Sequence, residues 1–120
     1  MLCLDTYVLM EIMRGNHKFL NFINQDFVIT DLTIAEFYSV LYREGNEKIA
    51  RHWYNKLSFY YRPVSNEILI KALKYRIDNK KDNLSIFDCV GYLYSLENNL
   101  KFVTGDIKFK HKPGVLFIQK

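Results

Sequence analysis

The apolar positions of this chain change period along its length, and the changes mark out its elements. Met1–Leu4 is a short run without polar alternation, the pattern of a strand covered on both faces. It stops abruptly at Asp5. Over Tyr7–Arg14 the spacing is helical, with Val8, Glu11 and Ile12 on related turns and Gly15-Asn16 as the stop. A second short helix, about His17–Asn24, puts Phe19, Leu20 and Ile23 on one side. Phe27–Thr30 is β-branched and reads as the second strand.

Thr33-x-x-Glu36 has the form of a capping box and predicts a helix start there, the threonine hydroxyl and the glutamate satisfying free amides reciprocally. Ile34, Phe37, Tyr38 and Leu41 continue that helix at i, i+3, i+4, i+7 until Gly45-Asn46 breaks it. Another amphipathic helix carries Ile49, Ala50, Trp53 and Leu57. Tyr60–Val64 is the third strand, confined by Pro63 to the sheet edge or to the strand end. Ser65 caps a helix through Leu69, Ala72, Leu73 and Ile77, which gives way to a polar loop over Asn79–Asn83. Ser85 caps a helix with Ile86, Cys89, Val90 and Leu93 on its apolar face. Lys101–Thr104 is the fourth strand, stopped by Gly105-Asp106, and Pro113-Gly114 turns the chain into a last strand, Val115–Ile118. Strands alternating with helices at this rhythm imply right-handed crossovers and an α/β fold, a parallel sheet with helices on both faces.

Composition narrows the class. The 120 residues make one domain, 1–120, with 49% hydrophobic and 25% charged residues, which excludes a disordered chain. No apolar run approaches the ~20 residues of a membrane span and no targeting segment is visible, so a cytoplasmic protein is expected. Cys3 and Cys89 lie in apolar segments and read as reduced core thiols. The net charge of +4 permits nucleic-acid binding without demanding it.

Candidate chemistry rests on four acids. Asp5 follows the first strand and Asp106 the fourth, while Glu36 and Asp88 each sit in the first turn of a helix. Each has an ordinary explanation as a cap, a capping-box member, an acid at a helix N-terminus or a turn residue. Yet strand ends and helix starts share one rim in a doubly wound sheet, the rim where such sheets bind ligands. Two carboxylates ~5 Å apart at an effective dielectric of ~20 repel by ~3 kcal/mol, so a converged set must take up protons or divalent cations. Oxygen ligands without histidine or thiolate suit Mg²⁺ or Mn²⁺, and such a site supports hydrolysis of phosphate esters.

The order Leu4-Asp5-Thr6, Thr33-Ile34-Ala35-Glu36, Leu84-Ser85-Ile86-Phe87-Asp88 and Val103-Thr104-Gly105-Asp106-Ile107-Lys108-Phe109 resembles the PIN-domain nucleases, most closely the small VapC-type toxins of toxin–antitoxin pairs. The resemblance spans essentially the whole chain, including the late Pro113-Gly114-Val115. It implies a three-layer α/β/α sandwich whose parallel sheet of four to five strands has the order 3-2-1-4-5. It implies a metal-dependent endoribonuclease with Asp5, Glu36, Asp88 and Asp106 as catalytic acids. Asp5 and Asp88 would bind the principal metal, Mg²⁺ or Mn²⁺; Asp106 would complete the pocket or hold a second ion, and Glu36 would act through water or as base. Thr6, Ser85 and Thr104 would orient the carboxylates. The family also implies a homodimer and a VapB-like antitoxin whose tail enters the acidic pocket.

Other groups weigh less. Gly91, Tyr92 and Tyr94 stand where relatives carry small alanine-like residues, and Gly91 marks either close packing or a gap that admits substrate. Arg14 and Lys108 are candidate RNA-backbone contacts. His17, His52 and His111 are too far apart to form a metal site or a metal-free acid–base pair. The aromatic residues crowded between Phe37 and Tyr61 exceed the need of a small core and suggest an interface. The competing reading is a catalytically silent PIN-like module that binds RNA or protein. A receiver-like domain would want an acid after its third strand, which Tyr60–Val64 lacks.

Overall fold

Strand β1 (Leu2–Leu4) forms the middle of a five-stranded, all-parallel sheet in a computed structural model that describes residues 1–120. Its neighbours are β2 (Phe27–Thr30) and β4 (Lys101–Thr104); β3 (Tyr61–Arg62) and β5 (Val115–Phe117) close the edges, giving the order 3-2-1-4-5. The register sets Cys3 beside Val28 and Phe102, and Leu4 beside Val103. Alternate residues therefore face opposite sides. Leu4, Phe27, Ile29 and Val103 enter one core beneath α1 (Thr6–Met13), α2 (His17–Leu20), α3 (Asp31–Glu44) and α4 (Glu47–Lys56). Cys3, Val28 and Phe102 enter the other, against α5 (Asn66–Asp78) and α6 (Ile86–Glu97). The result is a three-layer α/β/α sandwich. Cys3 and Cys89 are free and buried, and burial pushes their thiols up to about 12 and about 11.

Several local expectations are corrected. The helix expected to open at Thr33 begins at Asp31, because the Thr30 hydroxyl accepts the Thr33 amide at 3.1 Å and serves as the cap. Thr33 and Glu36 make no capping box, and the glutamate is left for other partners. The true box is Ser85 with Asp88. The third strand shrinks from Tyr60–Val64 to Tyr61–Arg62, since Tyr60 ends a 3₁₀ turn and stacks on Phe27 at 4.2 Å while Pro63 removes the next donor. The second helix ends at Leu20 and continues as a 3₁₀ turn through Asn24.

Gly91 is a packing glycine and not a gap: a Cβ there would stand 2.8 Å from the Phe102 ring. The crowded aromatics mostly serve the α3–α4 junction. Phe37 meets Trp53 edge-on, Tyr38 meets Tyr54, and Arg51 lies over both Tyr38 and Tyr54. The longest exposed apolar stripe is on α5, where Ile70, Leu73 and Ile77 face solvent. No helix is long and apolar enough to cross a membrane.

Candidate active site

Parallel pairing of β1 with β4 decides where the site lies. The Asp5 amide bonds Val103 O at 3.0 Å, so Asp5 comes level with Thr104 at the carboxyl rim of the sheet. There Asp5 is 6% exposed. One oxygen accepts the Thr6 amide at 2.8 Å and the other the Thr104 hydroxyl at 2.7 Å. Asp5 is thus both the cap of α1 and a member of the rim cluster, which dissolves the choice between those two roles.

The same economy holds for its neighbours. Asp88 Oδ2 accepts the Ser85 amide at 2.9 Å while Ser85 Oγ accepts the Asp88 amide at 3.1 Å. Asp106 Oδ1 accepts the Lys108 amide at 3.0 Å, and its own amide bonds the Thr104 hydroxyl at 3.0 Å. Glu36 Oε1 accepts the Thr6 hydroxyl at 2.5 Å. Each of these three acids therefore spends one oxygen on a local donor, which fixes its rotamer and leaves the other oxygen without a protein partner. Thr6 and Thr104 together tie three of the four acids into one hydrogen-bonded set. The Ser85 hydroxyl serves its helix and donates to no carboxylate.

Asp5, Glu36, Asp88 and Asp106 line one cavity of about 260 Å³, with Thr6, Tyr7, Met10, Glu11, Arg14 and Lys120. A larger cavity, about 610 Å³, runs along α5 between Leu73, Ile77 and Leu84, but it holds no acid or nucleophile and offers no chemistry. In the acidic cavity, burial raises the Asp5 pKa from the ordinary 3.8 to about 7; the Thr104 and Thr6 donors oppose this, and the charges of Asp88 and Glu36 add to it. Glu36 is raised as well, chiefly by burial and then by Asp88. Asp106 is joined to Asp5 through Thr104, whose hydroxyl donates to Asp5 and accepts the Asp106 amide.

As the side chains stand, no three acidic, histidine or cysteine groups are placed to hold a metal ion together. The donor set nonetheless fits a hard cation: only carboxylates and hydroxyls line this wall, three acids keep a free oxygen, and the buried one is held where ionisation is costly without a counter-charge.

Lys108 does not join them. Its ammonium bonds Asn83 O at 3.0 Å and is absent from the cavity lining. Arg14 does line it. Glu11 and Lys120 line it too, and neither was a candidate from the sequence. For Glu11 the spacing shows only the face it occupies, since Tyr7, Met10, Glu11 and Arg14 recur at i, i+3, i+4 and i+7 on one side of α1, and nothing local marks Lys120. Gly105 is fitted to that face, for a Cβ there would run into the Tyr7 ring. His17, His52 and His111 are all exposed and on separate segments.

A parallel 3-2-1-4-5 sheet with an acidic cavity beyond the ends of its central strands defines a domain of PIN type. A family model for the PIN domain matches residues 2–115, and the chain belongs to that family. No curated protein matches it by sequence. Among solved structures it is similar to VapC20 of Mycobacterium tuberculosis, described as a toxin that cleaves the sarcin–ricin loop, with TM-score 0.83, 12% identity and all of both chains covered. A toxin–antitoxin complex from Klebsiella pneumoniae gives TM-score 0.78 at 17% identity, again over all of both chains. The DNA-bound VapBC of Salmonella typhimurium gives 0.77 at 15% identity, over 99% of this chain and 98% of that one. The fold is therefore that of the VapC toxins.

Proposed function

We propose that this protein is a divalent-metal-dependent endoribonuclease of VapC type, cytoplasmic, and held in check by a VapB-like antitoxin. The observation that carries the reading is the buried Asp5 carboxylate, lining one cavity with Glu36, Asp88 and Asp106 and pressed by the charges of two of them. Asp5 and Asp88 would hold the principal ion, Mg²⁺ or Mn²⁺, with Asp106 completing the pocket. When bound, the ion supplies an activated water and neutralises charge on the scissile phosphate. The protein's own part is to orient and to move protons. Thr104 and the Thr6 amide fix Asp5, and the Thr6 hydroxyl fixes Glu36. Glu36, with its raised pKa, is suited to take a proton from the attacking water. Water adds across the phosphodiester, leaving 5′-phosphate and 3′-hydroxyl ends.

An antitoxin partner is supported by neighbours that are VapBC complexes. A homodimer is supported by the exposed stripe of α5, which is self-complementary. Two antiparallel copies related by a twofold axis midway along α5 would set Ile70 against Ile77. Ile77→Glu should give monomers by sedimentation equilibrium, whereas a dimer that survives the substitution uses another face.

The test of the reaction is cleavage of mixed cellular RNA by the purified chain with Mn²⁺. Wild type should cut and Asp5→Asn should not, with circular dichroism unchanged. Wild type that leaves every RNA intact with either ion favours a catalytically silent PIN-like binding module, and an active Asp5→Asn removes that residue from the site.

A further inference from the structure

The acidic cavity has a second wall that the proposed reaction does not use. Glu11 lines it, yet is only 3% exposed. Its carboxylate accepts Asn16 Nδ2 at 2.9 Å and Arg14 Nη1 at 3.1 Å, and Lys120 Nζ stands 3.6 Å away. These partners hold its pKa below the ordinary carboxylate value, led by the Asn16 hydrogen bond. A buried carboxylate needs one counter-charge; this one has two, Arg14 and Lys120, drawn from opposite ends of the chain. Both cations remain open, with side chains 48% and 60% exposed. Arg14 also has Glu44 Oε1 at 3.9 Å from Nη2, but Glu44 is half-exposed and shared with Arg43 at 3.6 Å. A guanidinium carries five N–H donors, so these contacts leave several of them for a ligand.

We propose that Arg14, with Lys120 beside it, is a phosphate-binding wall for the RNA strand, and that Glu11 is the positioning residue that holds both cations toward the cavity. The acids across the cavity take the scissile phosphate with its ion. Arg14 and Lys120 take a neighbouring backbone phosphate, which an acidic wall alone would repel. Guanidinium donors match phosphate oxygens two at a time, so Arg14 fixes the strand's path as well as attracting it. This inference rests on the nuclease reading above.

The test uses full-length wild type, Arg14→Ala, Arg14→Lys, Lys120→Ala and Glu11→Gln, with Mn²⁺-dependent cleavage of a fluorescent RNA oligonucleotide followed across salt concentration. Arg14→Ala should raise KM about tenfold or more while kcat changes by less than about threefold, as loss of a charge-assisted contact predicts. Its dependence of log kcat/KM on log salt should be shallower by about 0.7, the slope of one phosphate contact on a single strand. Arg14→Lys should recover part of KM. Glu11→Gln should shift KM in the same direction although Arg14 is intact, and Lys120→Ala should do so more weakly. Arg14→Ala and Glu11→Gln that keep wild-type KM and salt slope, whatever their melting temperatures, would overturn the proposal and leave the network as a clamp on the chain end. Should wild type cleave nothing, the nuclease reading fails by itself. Anisotropy of the same oligonucleotide then decides the wall, which stands if Arg14→Ala weakens binding and falls if affinity is unchanged.

Discussion

Asp5 and Glu11 are both buried acids on the lining of one cavity, and their environments drive them in opposite directions. Asp5 faces Glu36 and Asp88 and is raised to about 7; Glu11 faces Arg14, Asn16 and Lys120 and is lowered. Both are nearly inaccessible, at 6% and 3% exposure. Burial leads the rise at Asp5 and the like charges add to it, whereas at Glu11 the Asn16 hydrogen bond and the two cations outweigh burial. What separates them is the identity of the neighbours. One wall of the cavity lacks positive charge and the other already has it, an arrangement that suits a cation and a polyanion held side by side.

The largest effect expected from breaking this contrast is catalytic. Asp5→Asn should lower RNA cleavage by at least about a thousandfold in a steady-state assay, since it removes the charge around which the acidic wall is built. Activity within tenfold of wild type would contradict that role.

Next in size is the dependence of stability on pH. The folded pKa of Asp5, about 7, lies above its ordinary 3.8, so the native state binds more protons than the unfolded chain between those values. Stability without added metal should therefore fall as pH rises from about 4 to 7 and level off above. The displacement corresponds to ~4 kcal/mol as an upper figure. Glu36 adds to the same trend. Urea unfolding of Asp5→Asn should show a much flatter profile and higher stability than wild type at pH 8. An equally steep profile in the variant would assign the trend to other groups.

Glu11 gives the opposite sign. Its lowered pKa contributes stability that is present above the ordinary carboxylate value and is lost on acidification. Glu11→Gln should cost about 1–2 kcal/mol at pH 7 by urea unfolding, the usual loss when a buried charged acceptor is neutralised. The penalty should shrink toward pH 4. Smallest of all is Lys108→Ala, expected to change cleavage less than about twofold because the ammonium is turned to Asn83 O. A tenfold loss would return Lys108 to the substrate path.

The sheet was legible because its strands are short apolar runs and its helices keep a 3.6-residue period, so β1, β2 and β4 fall within a residue of where the pattern puts them. The family order of acids also put Asp5, Glu36, Asp88 and Asp106 on one rim, and all four line the cavity. What the pattern misplaced was decided by competition among short polar groups. Thr30 and Thr33 lie three residues apart and either can cap a helix; the hydroxyl at the strand end took the role and released Glu36 to Thr6, thirty positions away. The cationic wall was hidden for another reason. Glu11 looks like an ordinary polar residue on α1 until Lys120, more than a hundred residues later, is brought beside it. Local spacing records helices and caps, but it does not record which distant charge will arrive.

The claim beneath all of this is that the acidic wall is a cation site. Isothermal titration of the purified chain with Mn²⁺ at pH 7.5 tests it directly, with Asp88→Ala and Glu11→Gln alongside. Saturable binding that is lost in Asp88→Ala, kept in Glu11→Gln and weakened at pH 5.5, where protons compete with the ion for the raised Asp5 carboxylate, is the predicted result. Absence of saturable binding in the wild type, or binding unchanged by Asp88→Ala, would contradict it.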